Sequence, residues 1–184
     1  MEIIYCKKWW FPRKKPIEIF NEETARNNHL SGEDYTVVLK QNEMVSYVVE
    51  MAKNDVFVHF MNDNEVNYIT YAFHKENDKL FLNAAYYHSY EAEKEIELMV
   101  FGFKQNGELY MEKRDLLSGE IEEREAIVDV SCNWEDFPKF GDYSRLLILE
   151  RKNHVNLRAS YLDMLALKFT KYCFLNSSKS TDCC

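Results

Sequence analysis

The chain has 184 residues, 46% hydrophobic, 15% aromatic and 29% charged, with five glycines and three prolines. That length supports one domain with a sizeable core, and the composition excludes a collagen-like, low-complexity or disordered chain. Net charge is −8, and residues 7–15 hold Lys7, Lys8, Arg13, Lys14 and Lys15 with no acid, leaving −13 on the rest (−8 less the +5 of that segment); a body so acidic repels nucleic acid and anionic membrane and attracts a basic protein.

In chain order, residues 2–6 form a short expected strand. Residues 7–16 mix basic residues with Trp9, Trp10 and Phe11. Such interleaving suits stacking on bases or a membrane surface, but in so acidic a chain the expectation is tryptophans over one end of the core and lysines in water. Asn21 before Glu22 and Glu23 reads as a helix N-cap with acids in the first turn, the helix ending before Ser31 and Gly32. Residues 35–39 suit another strand. A meander comes next, with strands at 45–51, 56–61, 66–74, 79–88, 94–104, 108–116 and 121–130, separated by Asn-, Asp- and Gly-containing turns. Its clearest hairpin is 95–116, where Asn106 and Gly107 join two alternating runs and both are expected to take φ > 0.

Residues 133–141 read as an irregular aromatic link. Asp142 then looks like the N-cap of a helix with Tyr143, Leu146 and Leu147 inward. Leu157, Tyr161, Leu165, Phe169 and Tyr172 recur at helical spacing over 153–175, and 176–184 is a polar tail. The expected architecture is α+β and single-domain (1–184). A region at 1–44 holds a strand and a short helix. One antiparallel sheet of about six or seven strands at 45–130 is packed with C-terminal helices at 142–175.

The five cysteines, Cys6, Cys132, Cys173, Cys183 and Cys184, are odd in number and lack C-x-x-C spacing, so they read as reduced and the chain as cytoplasmic. The apolar start before Lys7 is too short for a signal-peptide core, and no stretch is long and apolar enough to span a membrane. His59, His74 and His88 fall on three successive strands. With tight turns His59 faces Tyr68, His74 faces Leu80 and His88 lies near Val66, so they do not converge on a metal. Nucleophile-elbow, phosphate-loop and metalloprotease motifs are missing, and the expectation is a chain with no enzymatic activity, metal or cofactor.

From residue 102 onward a pattern emerges: Gly102 and Phe103, Asn106 and Gly107, Arg114, then Ser118, Gly119 and Glu120, Glu122 and Glu123. It continues with Val128, Asp129, Val130 and Ser131, then Asn133, Trp134 and Glu135, Pro138, then Phe140, Gly141, Asp142 and Tyr143, and ends at Glu150 and Arg151. This resembles immunity proteins of bacterial polymorphic toxin systems, in particular those of contact-dependent growth inhibition. The resemblance implies a cytoplasmic inhibitor that binds one cognate toxin C-terminal domain, a basic nuclease in the usual case, with no direct contact to nucleic acid or membrane. It carries over no catalytic or interface residues.

Within the string, Trp134 and Phe140 are expected to plug the sheet's end, Asp142 to cap a helix and Gly141 to permit a tight approach or φ > 0. The expected partner-binding set is the acidic run Glu120, Glu122, Glu123 and Glu125, with Asp129, Glu135 and Asp136 close in sequence, and the acids of 91–97 next in line. Strand alternation lets only part of that set share a face. The rival reading is a small-molecule-binding β-sheet domain whose apolar cavity would be lined by Tyr86, Tyr87, Phe101 and Phe103.

Overall fold

Seven residues cross seven strands in a single row: Val37, Val49, Val58, Tyr71, Ala85, Phe101 and Met111, each the register partner of the next and each buried. Side chains in a strand alternate between faces, so a continuous buried row means that one whole face of the sheet is core. The computed structural model describes residues 1–149, and Met1–Ile148 form one compact unit.

The strands are β1 (Glu2–Trp10), β2 (Lys15–Phe20), β3 (Tyr35–Gln41), β4 (Met44–Met51), β5 (Asp55–Met61), β6 (Asn67–Glu76), β7 (Lys79–Glu91), β8 (Lys94–Phe103), β9 (Glu108–Asp115), β10 (Ile121–Ile127) and β11 (Trp134–Asp136). All belong to one antiparallel sheet in the order β10-β9-β8-β7-β6-β5-β4-β3-β1-β2. The short β11 pairs with the start of β7, at Lys79–Phe81, beyond the part of β7 that β8 covers. The expectation of six or seven strands backed by a C-terminal helix is therefore corrected to one sheet of eleven strands. The meander strands lie close to their expected bounds. The additional four are β1, β2, β3 and β11, which the sequence left short, ambiguous or unmarked. The expected helix over 153–175 and the tail at 176–184 lie outside the described residues.

Among the described residues the α-helix is α1 (Glu22–Ser31). The Asn21 side chain accepts from Thr24 N–H at 2.8 Å, and Gly32, at φ 73°, closes the helix with its N–H on the Asn28 carbonyl. Only Ala25 of this helix is buried, so α1 owes its place to side-chain contacts rather than to an apolar stripe. His29 Nδ1 lies 2.8 Å from the Tyr35 hydroxyl, and its ring packs on Phe137 and Phe140. The Tyr35 and Tyr143 hydroxyls are 3.2 Å apart, Phe140 stacks on Tyr5, and Arg26 lies over the Phe140 ring. Burial pushes the His29 pKa down and the Tyr5 pKa up to about 12.

Two turns differ from expectation. Asn106 does not take positive φ. Gly107 alone does, at 90°, with its N–H on the Lys104 carbonyl, while Lys104 N–H bonds Glu108. This is a three-residue loop rather than the two-residue turn. A Cβ on Gly107 would stand 2.7 Å from the Val128 carbonyl oxygen, so only glycine fits. The two-residue turn with both residues at positive φ is instead Asn42 and Glu43, between β3 and β4.

The opposite face is covered at the β1–β5 end by a cluster of Cys6, Trp9, Val38, Val45, Val48 and Met61 with Ile4 and Phe11 against it. Trp9 thus covers core as expected. Trp10 is exposed between Arg13 and Lys15.

The aromatic link closes the sheet's end. Asn133 is 1% exposed, and its Nδ2 donates to the Leu82 carbonyl at 3.0 Å. Trp134 packs on Phe81. Asp142 accepts from the Ser144 N–H and hydroxyl, but the helix expected from Asp142 does not form over the described residues, where the chain takes i→i+3 turns that bury Tyr143 and Leu146. Replacing Asn133 with alanine strands a buried carbonyl and should lower unfolding stability by about 1–3 kcal/mol, measured by urea denaturation. An unchanged midpoint would show that the clasp is dispensable.

Candidate functional site: the acidic edge

The β9–β10 ribbon ends the sheet, and its register decides which charges meet. Glu108, Tyr110, Glu112 and Arg114 pair with Ile127, Glu125, Glu123 and Ile121. Alternation puts all eight on the face that the core does not use. Ile121 and Ile127 are 59% and 75% exposed, and Glu108, Glu123 and Glu125 are exposed between and beside them. A cavity of about 320 Å³ opens where Gly102, lacking a side chain, leaves space beside Tyr110, Lys104, Glu125 and Ile127.

Glu112 and Glu123 face each other directly, and like charges in that position repel. The Tyr110 hydroxyl lies 2.8 Å from each carboxylate and shares its proton between them. These bonds, that to Glu123 first, push the Tyr110 pKa well up. The Arg114 guanidinium, and then Tyr110, hold Glu112 below the usual carboxylate range.

The expected partner-binding residues do not form one surface. Glu123 and Glu125 share the exposed face. Glu122 lies on the other face, opposite Lys113 and 3.5 Å from the Arg124 guanidinium. Glu120 is exposed in the turn before β10, with its carbonyl bonded by Asp115 N–H. Asp129 accepts from the Ser131 N–H and hydroxyl. Glu135 is 9% exposed, on β11, with its carboxylate 3.2 Å from Arg145. Asp136 is exposed and pairs in register with Lys79. Glu135 and Asp136 thus sit at β7, across β8 and β9 from β10. Of the second acidic cluster, Glu95 is bonded to His88 and Glu97 to Lys113, while Glu91 and Glu93 are exposed.

The sequence missed Tyr110, Glu112 and the flanking isoleucines. Period-2 spacing from Glu123 and Glu125 would have found Ile121 and Ile127, but Tyr110 and Glu112 needed the β9–β10 register.

Each strand histidine sits against its own carboxylate: His59 with Glu50 (3.6 Å), His74 with Asp55 (2.8 Å) and His88 with Glu95 (2.7 Å). His59 lies opposite Thr70 rather than Tyr68, and His74 opposite Phe81 rather than Leu80; His88 pairs with Leu98 on its β8 side. The bulge at Phe60/Met61 shifts the first register, and the two-residue turn at Asn77 and Asp78 sets the second. Among the described residues no three His, Cys, Asp or Glu side chains are grouped to hold a metal ion. The four aromatics expected around an apolar cavity divide between faces. Tyr87, Phe101 and Phe103 lie on the core face and Tyr86 on the other. A second cavity, of about 500 Å³, lies beside Phe11, Lys14, Glu65 and Tyr90.

Compared with protein-family models, curated proteins and solved structures, the chain matches none. Among the described residues no helix is long and apolar enough to cross a membrane.

Replacing Tyr110 with phenylalanine leaves Glu112 and Glu123 opposed without the shared proton and should lower the melting temperature at pH 7. A carboxyl whose folded pKa is depressed contributes stability above its unfolded pKa and loses it as pH falls through the folded value. Glu112 is depressed, so the deficit should be full above about pH 4.5 and shrink in more acidic buffer. Equal melts of the two proteins at pH 7 would show that the proton sharing contributes nothing.

Proposed function

We propose that this chain is a cytoplasmic immunity protein. It acts by binding rather than catalysis, neutralising a cognate basic toxin domain of the contact-dependent growth inhibition type, a nuclease by preference. The observation that carries the reading is the acidic ribbon: Glu108, Glu112, Glu123 and Glu125 on one face of a sheet edge, framed by exposed Ile121 and Ile127. A nuclease must be basic to hold phosphates, and an acidic surface with apolar anchors complements it while competing with its substrate. The resemblance over residues 102–151 supports the same reading.

The test is co-expression with the toxin C-terminal domain encoded beside this gene. Growth rescue and stoichiometric inhibition of the purified domain are expected. Continued toxicity with both proteins expressed and folded would overturn the reading. Surface charges act chiefly on association, and their effect is screened by salt. Reversal of Glu123 and Glu125 together to lysine should therefore slow association by about tenfold or more at low salt, with the gap narrowing at high salt. Unchanged association at both salts, in a double variant that melts like the wild type, would place the toxin elsewhere.

A further inference from the structure

The two ends of the sheet are built differently. β2 carries Pro16, and Glu18 stands at φ 54°, so a missing donor and a left-handed residue spoil it as a template. β10 has no proline, no glycine and no register shift against β9. Its backbone directions can be read from the bonds at its two ends. The Glu120 carbonyl and the Val128 N–H both point at the β9 side, onto Asp115 and Gly107. Backbone groups in an antiparallel strand alternate, so Glu122, Arg124 and Ala126 also face β9, and Ile121, Glu123, Glu125 and Ile127 direct their N–H and C=O groups outward. Among the described residues no strand pairs with that edge. The Glu123 carbonyl alone is held there, by the Arg124 guanidinium at 2.8 Å.

We propose that β10 is a docking edge that accepts an extended segment of a basic partner protein as an added strand. The proposal deepens the inhibitor reading and rests on it for the partner's identity. The outward residues carry their side chains on the face of Glu112 and Tyr110. A partner residue that exchanges backbone bonds with Glu123 therefore brings its own side chain beside the Glu123 carboxylate, and the same holds at Glu125. The edge thereby specifies a pattern: apolar, any, basic, any, basic, any, apolar, with the apolar ends against Ile121 and Ile127. Strand addition takes affinity from the main chain and specificity from alternate side chains. The same register rejects a second copy, because antiparallel self-pairing about Arg124 sets Glu123 against Glu125 of the other chain.

The test uses the full-length chain and a synthetic peptide, acetyl-Ile-Thr-Lys-Thr-Lys-Thr-Ile-amide, with a control in which both lysines are glutamate. Amide exchange is followed by NMR. With saturating lysine peptide, the amides of Ile121, Glu123, Glu125 and Ile127 should slow by at least about tenfold, those of Glu122, Arg124 and Ala126 should stay as slow as before, and the control should leave all unchanged. Glu123→Pro deletes one outward donor without touching the β9 ladder and should abolish binding with the melt unchanged. If that variant does not fold, the two peptides decide alone. Equal binding of both peptides, no protection of the outward amides, or outward amides already protected in the free protein by self-association would each overturn the proposal. The same exchange measured on a toxin complex separates the two claims. Neutralisation without protection at β10 removes the docking mode and keeps the inhibitor. Peptide protection without neutralisation keeps the edge and removes the inhibitor.

Discussion

Everything in the described chain hangs on the buried row from Val37 to Met111. Seven antiparallel strands share one register line of apolar side chains, and any strand that slipped by one residue would turn its core set to the other face. That penalty pins the meander. It also fixes, without further interactions, what the opposite face presents. The line beside it runs Val38, Val48, His59, Thr70, Tyr86, Val100, Glu112, Glu123. It begins buried under the β1 end and finishes as carboxylates at the free edge. The acidic site is thus the outer end of the same lattice that holds the core.

The residues that carry the family resemblance do a different job from the one their charge suggests. Asn133 bonds a carbonyl in β7, Trp134 packs on Phe81, Glu135 is buried against Arg145, Phe140 stacks on Tyr5, and Tyr143 meets Tyr35. Together with His29 they fasten α1 and the chain after β11 to the sheet. These residues serve packing, whereas Glu123, earlier in the same pattern, is exposed on β10.

Placing four glutamates on one ribbon costs repulsion, most of all where Glu112 faces Glu123. The cost is managed locally, by one phenol proton and one guanidinium from the same strand as Glu112. Arg114 and Tyr110 leave Glu123 and Glu125 exposed and negative, so the ribbon is tolerable to the fold and still attractive to a cation-rich surface.

What the sequence by itself determined is the local grammar. Alternation with period two, broken by Asn, Asp and Gly, marked the strands between 45 and 130 nearly at their observed bounds, and Asn21 marked the start of α1, because both signals arise from residues that are neighbours in the chain. The tertiary structure decided the rest. β1 and β11 are held as strands by distant partners: β1 lies against β3, and Trp134 opposite Phe81 is a pairing no local pattern announces. The bulge that helps set His59 against Thr70 is invisible in an alternating run. The acidic run split in the same way. Glu123 and Glu125 reach solvent, Glu122 turns to Arg124, and Glu135 is buried beside a residue ten positions away. A carboxylate's charge is written in its own side chain, but its exposure is a property of whatever packs against it.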